Sequence, residues 1–182
     1  QTGIGLTGKF WAHEHFVKPD IIAFGKKAQI CGILAGKRLD EVETNCFKVS
    51  SRINSTWGGN LVDMVRFQRI LEVIEQDNLV ENAQNVGEYL LKGLQNLSAK
   101  HTHFSNPRGK GLLCAIDLPN SHARDAVVSE CMNQGLMILG CGDKTIRCRP
   151  ALMVSETEVD KALSILSSAY CSAIDRCPVA ND

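Results

Sequence analysis

Apolar residues recur every three or four positions in two stretches near the middle of the chain, which predicts two amphipathic helices. The apolar face of the first consists of Met64, Phe67, Leu71 and Ile74, with Ile70 beside them. The apolar face of the second consists of Ala83, Val86, Leu90, Leu91, Leu94 and Leu97. The polar run Gln76-Asp77-Asn78 lies between the two and predicts a break there.

Short apolar runs bounded by polar residues predict the strands. The first is Asp20–Phe24, whose apolar residues are consecutive, as is typical of a strand buried on both faces of a parallel sheet. The others are Ile30–Ala35, Gly111–Asp117, Leu136–Leu139 and Thr145–Cys148.

Local signals mark the remaining elements. A helix is predicted over about Ser121–Gln134, because Gly135 is a good C-terminal stop. Ser155–Glu158 has the pattern of a capping box and predicts the start of the last helix. Asn106–Gly109 predicts a turn, and Leu39–Val42 predicts a short helix.

This order of elements predicts an α/β chain in three parts. Residues 1–60 would form the C-terminal part of a large α/β domain, 61–97 a helical connector, and 98–182 a small C-terminal α+β domain. The chain has 182 residues, of which 44% are hydrophobic and 22% charged, and this length and composition allow a hydrophobic core of ordinary size.

Charge and cysteine usage narrow the class of protein. Twenty basic and twenty acidic side chains cancel, which gives no support for a nucleic-acid or anionic-membrane partner. No apolar stretch approaches the ~20 residues that cross a bilayer. The eight cysteines include no CxxC pair, and the length allows an ordinary core without disulfides. We therefore expect reduced thiols and a cytoplasmic protein.

Lys26 is the first candidate for chemistry. It follows the predicted strand Asp20–Phe24 directly after Gly25. Ligands of open α/β sheets gather at the carboxyl ends of strands, and a lysine over an apolar floor loses part of its hydration, which makes the neutral amine needed for Schiff-base chemistry accessible. Most lysines are simply solvated surface charges, and that alternative stays open. Neighbours on an extended segment point to opposite faces, so only one of Lys26 and Lys27 can enter a given pocket.

Three other segments carry groups that bind anions or polar ligands. Asn54–Gly59 combines hydroxyls, backbone amides and glycines, as phosphate-binding loops do. Arg147 and Arg149 share one face of a predicted strand, and an arginine there can hold a carboxylate through two parallel bonds. Gln1 offers an amide donor. An ordinary loop, an exposed arginine pair and a disordered end are the alternatives.

Two HxH patterns, at His13-Glu14-His15 and His101-Thr102-His103, have a spacing that can bind a metal on a strand. Neither is the HExxH pattern of a helix-borne zinc site. We expect no metal at either.

The motifs taken in order resemble one family, the class III or omega-type pyridoxal-phosphate aminotransferases of fold type I. The resemblance runs from Gln1 to about Tyr170. It rests on the segments Gln1-Thr2-Gly3, Thr7-Gly8, Pro19-Asp20-Ile21 and the strand that leads to Lys26. The segments at 24–32 and 51–60 are most similar to members that act on the terminal amine of L-lysine. Those at 7–15 and 140–144 also resemble members that act on 4-aminobutyrate.

The resemblance implies a role for each candidate. Lys26 would carry pyridoxal 5'-phosphate as a Schiff base and move the substrate proton. Gln1 would contact the cofactor ring and lie near the substrate, and Thr56 would bind the cofactor phosphate of a partner subunit in a homodimer. Arg147 would hold the carboxylate of 2-oxoglutarate or glutamate. The reaction would be transfer of the terminal amine of lysine to 2-oxoglutarate.

The family pattern also has parts that this sequence does not contain. The aspartate that pairs with the cofactor ring nitrogen stands three positions before the glutamine in the family, and this sequence starts at Gln1. The resemblance therefore implies the C-terminal portion of an enzyme, with an incomplete site when alone. The alternatives are a 4-aminobutyrate aminotransferase and a truncated module without activity.

Overall fold

The computed structural model describes residues 1–53 and 56–176. Its first two strands are β1, Ile21–Phe24, and β2, Gly32–Ala35, and they pair antiparallel, with Ile21 opposite Ala35. Short 3-10 turns span Ala12–His15, Lys26–Ala28 and Lys37–Glu41. Both strands were predicted at nearly these positions. We predicted that β1 is buried on both faces of a parallel sheet, and this was wrong for the described residues. Alternate residues of β1 are exposed, and its described partner strand runs antiparallel.

Two long helices follow where the apolar periodicity predicts them. Helix α1 is Leu61–Gln76, and helix α2 is Leu79–Lys100. The side chain of Asn60 caps α1 by accepting a hydrogen bond from the Val62 amide. Asn78, in the left-handed region at φ 51°, separates the two helices, as the polar run predicted.

The rest of the chain forms a four-stranded antiparallel sheet with helices. The strands are β3, Ser105–Lys110, β4, Leu113–Asp117, β5, Leu139–Cys141, and β6, Thr145–Cys148, in the order β3-β4-β6-β5. The helices are α3, Ser121–Asn133, and α4, Glu156–Arg176. Helix α2 packs on β3 and β4, α3 packs on β5 and β6, and α4 contacts α2 and α3.

Two local predictions in this region were wrong. Asn106–Gly109 lies in β3 rather than in a turn, and the strand at Leu136–Leu139 begins only at Leu139. β3 is an edge strand whose register shifts between Ser105 and Arg108, and such an irregularity tolerates a proline. The predicted capping box is confirmed: Ser155 Oγ lies 3.3 Å from the Glu158 amide, and Glu158 Oε2 accepts from the Ser155 amide at 2.8 Å.

The main core lies between the sheet and the helices. Its fully buried residues include Leu94, Leu112, Ile116, Ile146 and Leu166. A second, smaller cluster forms around Ile4, Ala28 and Ile74, beneath the turn that follows β1. Leu152 packs against both clusters and so links the segment after β6 to the turn after β1. No helix among the described residues is long and apolar enough to cross a membrane.

Candidate active site

The sequence suggested that Lys26 and Lys27 lie on an extended segment, but the structure places them in a turn. The backbone turns at Lys26, whose φ of 56° lies in the left-handed region, and residues 26–28 form a 3-10 turn. Such a conformation is strained for a residue with a side chain and is found preferentially at functional sites. Lys26 is exposed, whereas Lys27 is half-buried. The turn therefore sends the two amines into different surroundings.

Lys26 lines an open groove of about 860 Å³. Trp57, Gly58 and Gly59 line the same groove, and Thr56, which is exposed, precedes them. Asn54 and Ser55 of the predicted phosphate-binding loop lie outside the described residues. Lys26 thus shares a groove with part of that loop, while neither Gln1 nor Arg147 lines it.

Lys27 lines a smaller cavity of about 220 Å³ together with Gln1. The other side chains that contribute polar groups or aromatic rings to this cavity are Thr2, Trp11, His13 and Phe24. The wall thus combines an amine, an amide, a hydroxyl and an imidazole with aromatic surface, which suits a flat ligand with polar substituents. The cavity brings Lys27, and not Lys26, to the glutamine that the sequence predicted.

Arg147 reaches the same region from the small sheet. Its Nη1 donates a long hydrogen bond of 3.5 Å to Gln1 Oε1, across 146 positions of the sequence. The backbone of Arg147 lies in β6, opposite Ala115 of β4 and Leu139 of β5, so strands on both sides hold it. The fold therefore joins two residues that the sequence had proposed independently.

The segment after β6 is also held from outside the sheet. Asn82 of α2 donates from Nδ2 to the carbonyl oxygens of Leu152 and Val154, at 2.7 and 3.1 Å. Pro150 lies between β6 and the residues that Asn82 holds. The arginines on β6 and just after it are thus carried on a rigid part of the chain, which favours a defined placement of their guanidinium groups.

Burial lowers the pKa of Lys27 below its ordinary value, and the positive charge of Arg149 lowers that pKa further. A like charge and partial loss of hydration both disfavour the ammonium form. A lysine in this situation offers a neutral amine more readily than a solvated lysine does, which is the property required of a nucleophilic amine.

Two buried nitrogen atoms near Lys27 have no hydrogen-bond partner among the described residues. They are His13 Nε2, in the cavity that Lys27 lines, and Nε of Arg149, whose charge acts on Lys27. The other ring nitrogen of His13 lies 3.1 Å from the carbonyl oxygen of Val17. Buried polar atoms are normally paired, so two such atoms around one amine are consistent with a polar ligand there.

Other residues with reactive side chains have structural surroundings. Burial raises the pKa of the Cys114 and Cys148 thiols to about 12, which removes thiolate chemistry at neutral pH. His101 Nε2 lies 2.8 Å from Ser167 Oγ, and His103 Nδ1 lies 2.8 Å from Tyr170 Oη. Within residues 1–53 and 56–176 no group of three or more possible metal ligands comes together.

Sequence reasoning did not place Lys27 and His13 in one cavity with Gln1, and it treated Arg149 only as a strand neighbour of Arg147. The adjacent lysines are equivalent in the sequence, and only the turn at Lys26 distinguishes them. The histidine was weighed only as part of a metal pattern. A prediction of these surroundings would have required knowing which side chains the fold buries.

Comparisons with known proteins agree with one another. The profile of the family described as Aminotransferase class-III matches residues 1–170. L-lysine-epsilon aminotransferase of Mycobacterium tuberculosis is 50% identical over 171 residues, which are 93% of this chain and 38% of that protein. The enzyme of the same name from Streptomyces clavuligerus is 46% identical over 93% of the chain and 38% of that protein.

More distant relatives and solved structures extend this agreement. The mitochondrial 4-aminobutyrate aminotransferase of Sus scrofa is 36% identical, over 92% of this chain and 33% of that protein. The structure of lysine aminotransferase from M. tuberculosis in the internal aldimine form has a TM-score of 0.91 at 48% identity and matches 95% of this chain and 40% of that one. The chain thus spans about two fifths of the length of the lysine aminotransferases that it matches.

Proposed function

Because this chain belongs to the class-III aminotransferase family, we propose that it takes part in transfer of the terminal amino group of L-lysine to 2-oxoglutarate, with 2-aminoadipate 6-semialdehyde and glutamate as products. Relatives named for this lysine reaction are 46–50% identical to it over most of its length. The relative named for 4-aminobutyrate is 36% identical. Lysine is therefore the favoured donor.

The single observation that supports the proposal best is the contact of Gln1 with Arg147 beside the turn that carries Lys26 and Lys27. Gln1 accepts a hydrogen bond from Arg147 and lines one cavity with Gly25 and Lys27. An amide and a guanidinium at this turn suit a substrate that carries a carboxylate.

Pyridoxal 5'-phosphate is the cofactor that we propose for this site. The half-buried amine of Lys27 and the unpartnered nitrogen atoms of His13 and Arg149 fit a ligand of this polarity. When bound, the cofactor supplies an electron sink for the carbon from which a proton is removed. Gln1 would contact its ring, and the Thr56 hydroxyl would bind the phosphate in the partner's site.

We propose distinct tasks for the chain's own residues. Lys26 Nζ would hold the cofactor and then, as a neutral amine, take a proton from the substrate carbon and return it. Arg147 would bind a substrate carboxylate through two parallel hydrogen bonds, which orients the reacting carbon.

We propose Lys26 as the cofactor lysine, as the family resemblance implies. Lys26 lines an open groove and adopts the strained left-handed conformation that is found preferentially at functional sites. Lys27, which is half-buried beside Gln1, is the alternative that experiment must exclude.

We also propose the division expected from the sequence, with residues 1–60 in the large domain, 61–97 as connector and 98–182 as the small domain. The main core draws mostly on residues after 82, so α2 of the connector packs with the small domain, while a smaller cluster forms around Ile4, Ala28 and Ile74. A cytoplasmic homodimer, in which one subunit supplies Thr56 to the other, follows from the family resemblance alone.

Mapping of the cofactor lysine tests the proposal directly. The full chain encoded by the gene is incubated with pyridoxal 5'-phosphate, reduced with borohydride and digested, and the labelled peptide is identified. We expect the label on Lys26. Label confined to Lys27 would contradict this assignment, and random labelling of surface lysines would support an inactive module.

Activity measurements complete the test. With L-lysine and 2-oxoglutarate, Lys26→Ala should reduce glutamate formation by about 10²–10⁴-fold, because the proton-transfer group is lost. Lys27→Ala is the matched control and should retain most of the activity. Faster turnover of 4-aminobutyrate than of lysine would favour the alternative donor.

A further inference from the structure

The left-handed backbone at Lys26 has to be imposed by its surroundings. A residue with a side chain is strained at a φ of 56°, and such a conformation persists only where the neighbouring structure determines it. Gln29, at the end of the same turn, is also left-handed, at φ 58°. Residues 25–31 thus form a strained loop that joins β1 to β2. The contacts that hold this loop determine where the Lys26 amine lies.

The base of the loop is closed by the packing of Phe24 on Gly32. These two residues are the opposed pair of β1 and β2 that lies nearest the loop. A Cβ atom on Gly32 would lie 2.5 Å from Phe24 Cζ, so the ring occupies the space that a side chain would take. The next two residues pack in the reverse sense, because a Cβ atom on Gly25 would lie 2.9 Å from Cys31 Sγ. The loop therefore leaves the strands through two close contacts.

The ring of Phe24 is itself held by two other aromatic side chains. It stacks on Phe67 of α1, with ring centroids 6.1 Å apart, and lies at a tilt to Trp11, at 5.7 Å. All three pack against the apolar cluster that contains Ala28, which is fully buried and belongs to the strained turn. The turn is thus anchored by Ala28 on its buried side and by Phe24 at its base.

Phe24 also lies where the surroundings of the two lysines adjoin. It lines the open groove that Lys26 lines and the smaller cavity that Lys27 lines, a property that it shares with Ala23. The side chain of Ala23 is only a methyl group, so Phe24 supplies most of the side-chain surface at this boundary. The residue that closes the base of the loop is therefore also in contact with both spaces.

We propose that Phe24 is a positioning residue for the cofactor lysine: its ring, packed on Gly32, holds the left-handed turn so that Lys26, and not Lys27, presents its amine to the groove. In this role Phe24 acts through the backbone of the turn and not on the substrate. This inference rests on the proposed function, because that function gives the cofactor to Lys26.

The test measures how the two lysines share the cofactor label. The full-length protein is loaded with pyridoxal 5'-phosphate, reduced with borohydride and digested, and peptide mapping gives the ratio of label on Lys26 to label on Lys27. We expect Phe24→Ala to lower this ratio at least about tenfold, because the strained turn loses the ring that determines it. Phe24→Leu keeps an apolar side chain next to Gly32 and should preserve most of the preference.

Displacement of the ring provides an independent variant. Gly32→Ala keeps Phe24 but puts a methyl group where its ring lies, so the label ratio should fall as it does in Phe24→Ala. The backbone of Gly32 is not left-handed, so alanine introduces only this collision. Gly32→Ala combined with Phe24→Leu should restore the preference, because leucine has no atom at the Cζ position. A simple loss of stability would not be repaired by shortening a second side chain.

Phe10→Ala is the matched control. Phe10 packs against the same apolar cluster and contacts Trp11, but it lines neither the groove nor the cavity. Its removal takes away a ring of the same size and should leave the label ratio unchanged. Thermal unfolding of each variant measures the change in stability. If Phe24→Ala does not fold, Gly32→Ala and the double variant test the inference in its place.

An unchanged label ratio in the folded Phe24→Ala or Gly32→Ala protein would overturn the inference. An equal fall in Phe10→Ala would also overturn it, because the effect would then come from the apolar cluster as a whole. Label on Lys27 or on random surface lysines in the unmodified protein would instead refute the proposed function. That failure is distinguishable, because it is seen before any substitution is made.

Discussion

Asn82 and Leu152 are joined across 70 positions of the sequence, with the Asn82 side chain donating to the Leu152 carbonyl oxygen at 2.7 Å. The same amide nitrogen donates to Val154 at 3.1 Å. Leu152 in turn packs against both apolar clusters. One side chain of α2 thus fixes the segment that carries the chain from the arginines of β6 to α4.

Loss of this side chain should destabilise the protein. Asn82→Ala leaves two partly buried carbonyl oxygens without their donor, and we expect a loss of about 1–3 kcal/mol in the free energy of unfolding. Chemical denaturation measures it. Asn85→Ala, at an exposed position of the same helix, is the control and should change stability by less than about 0.5 kcal/mol. Equal effects of the two substitutions would contradict the tethering role.

Gly87 is required where α2 crosses the β3–β4 connection. A Cβ atom there would collide with the backbone of Gly111, and that backbone is itself confined by Thr7 and Gly8. Gly87→Ala should cost about 1–3 kcal/mol of unfolding free energy, because backbone cannot move aside as a side chain can. Gly93→Ala is the matched control, since its new methyl group meets only the end of the Leu163 side chain. Thermal unfolding of both variants compares them, and a Gly87→Ala protein as stable as Gly93→Ala would disprove the packing argument.

Stability should depend on pH through His101. This side chain is 8% exposed, and its burial, followed by the charge of Lys100, lowers its pKa from the ordinary value of 6.5. The unfolded chain therefore binds a proton at this site more readily than the folded chain does. His101 therefore contributes fully to the free energy of unfolding above pH 6.5. This contribution is lost as the pH falls below 6.5 towards the lower pKa of His101 in the folded state.

Denaturation curves at a series of pH values between 5 and 7.5 measure this effect. His101→Gln keeps a polar group near Ser167 but cannot titrate, and it should flatten the decline of stability below about pH 6.5. His122→Gln, at an exposed position of α3, should leave the decline unchanged. An identical pH dependence in the His101→Gln protein would rule out this histidine as its source.

The thiols should divide into two reactivity classes. Burial raises the pKa to about 12 for Cys114 and Cys148 and to about 11 for Cys131, so little thiolate forms at neutral pH. Cys31, Cys141 and Cys171 are exposed. Alkylation of the native protein followed by peptide mapping should modify these exposed thiols at least about tenfold faster than the buried ones, and added denaturant should abolish the difference. Rapid labelling of Cys114 in the native state would contradict its burial.

Periodic patterns predicted the long elements well. The apolar spacing of α1 and α2, the break at Asn78 and the capping box of α4 are properties of neighbouring residues, and all three are confirmed. Predictions that depended on distant partners were less accurate. Asn106–Gly109 has the composition of a turn, yet pairing with β4 draws it into an edge strand. The sequence of β1 predicts a strand buried on both faces, yet among the described residues one face of β1 is exposed.

The candidate site shows the same division. The order of the motifs identified the family. It also predicted a pyridoxal phosphate cofactor and a site made of Gln1, Lys26, Thr56 and Arg147. The sequence could not tell which of two adjacent lysines faces Gln1, because that depends on a left-handed residue at Lys26. It also could not show that the Arg149 charge acts on Lys27, since the two residues are far apart in the chain.

The amino-acid sequence by itself determined the local features of this protein. Helix periodicity, capping, glycine stops, balanced charge and the family motifs can all be recognised from the sequence without a structure. Tertiary structure alone decided strand partners, which thiols are buried, and the meeting of Gln1 with Arg147. The reason is that burial and electrostatic coupling depend on distances in space, and these are set only when remote segments pack against one another.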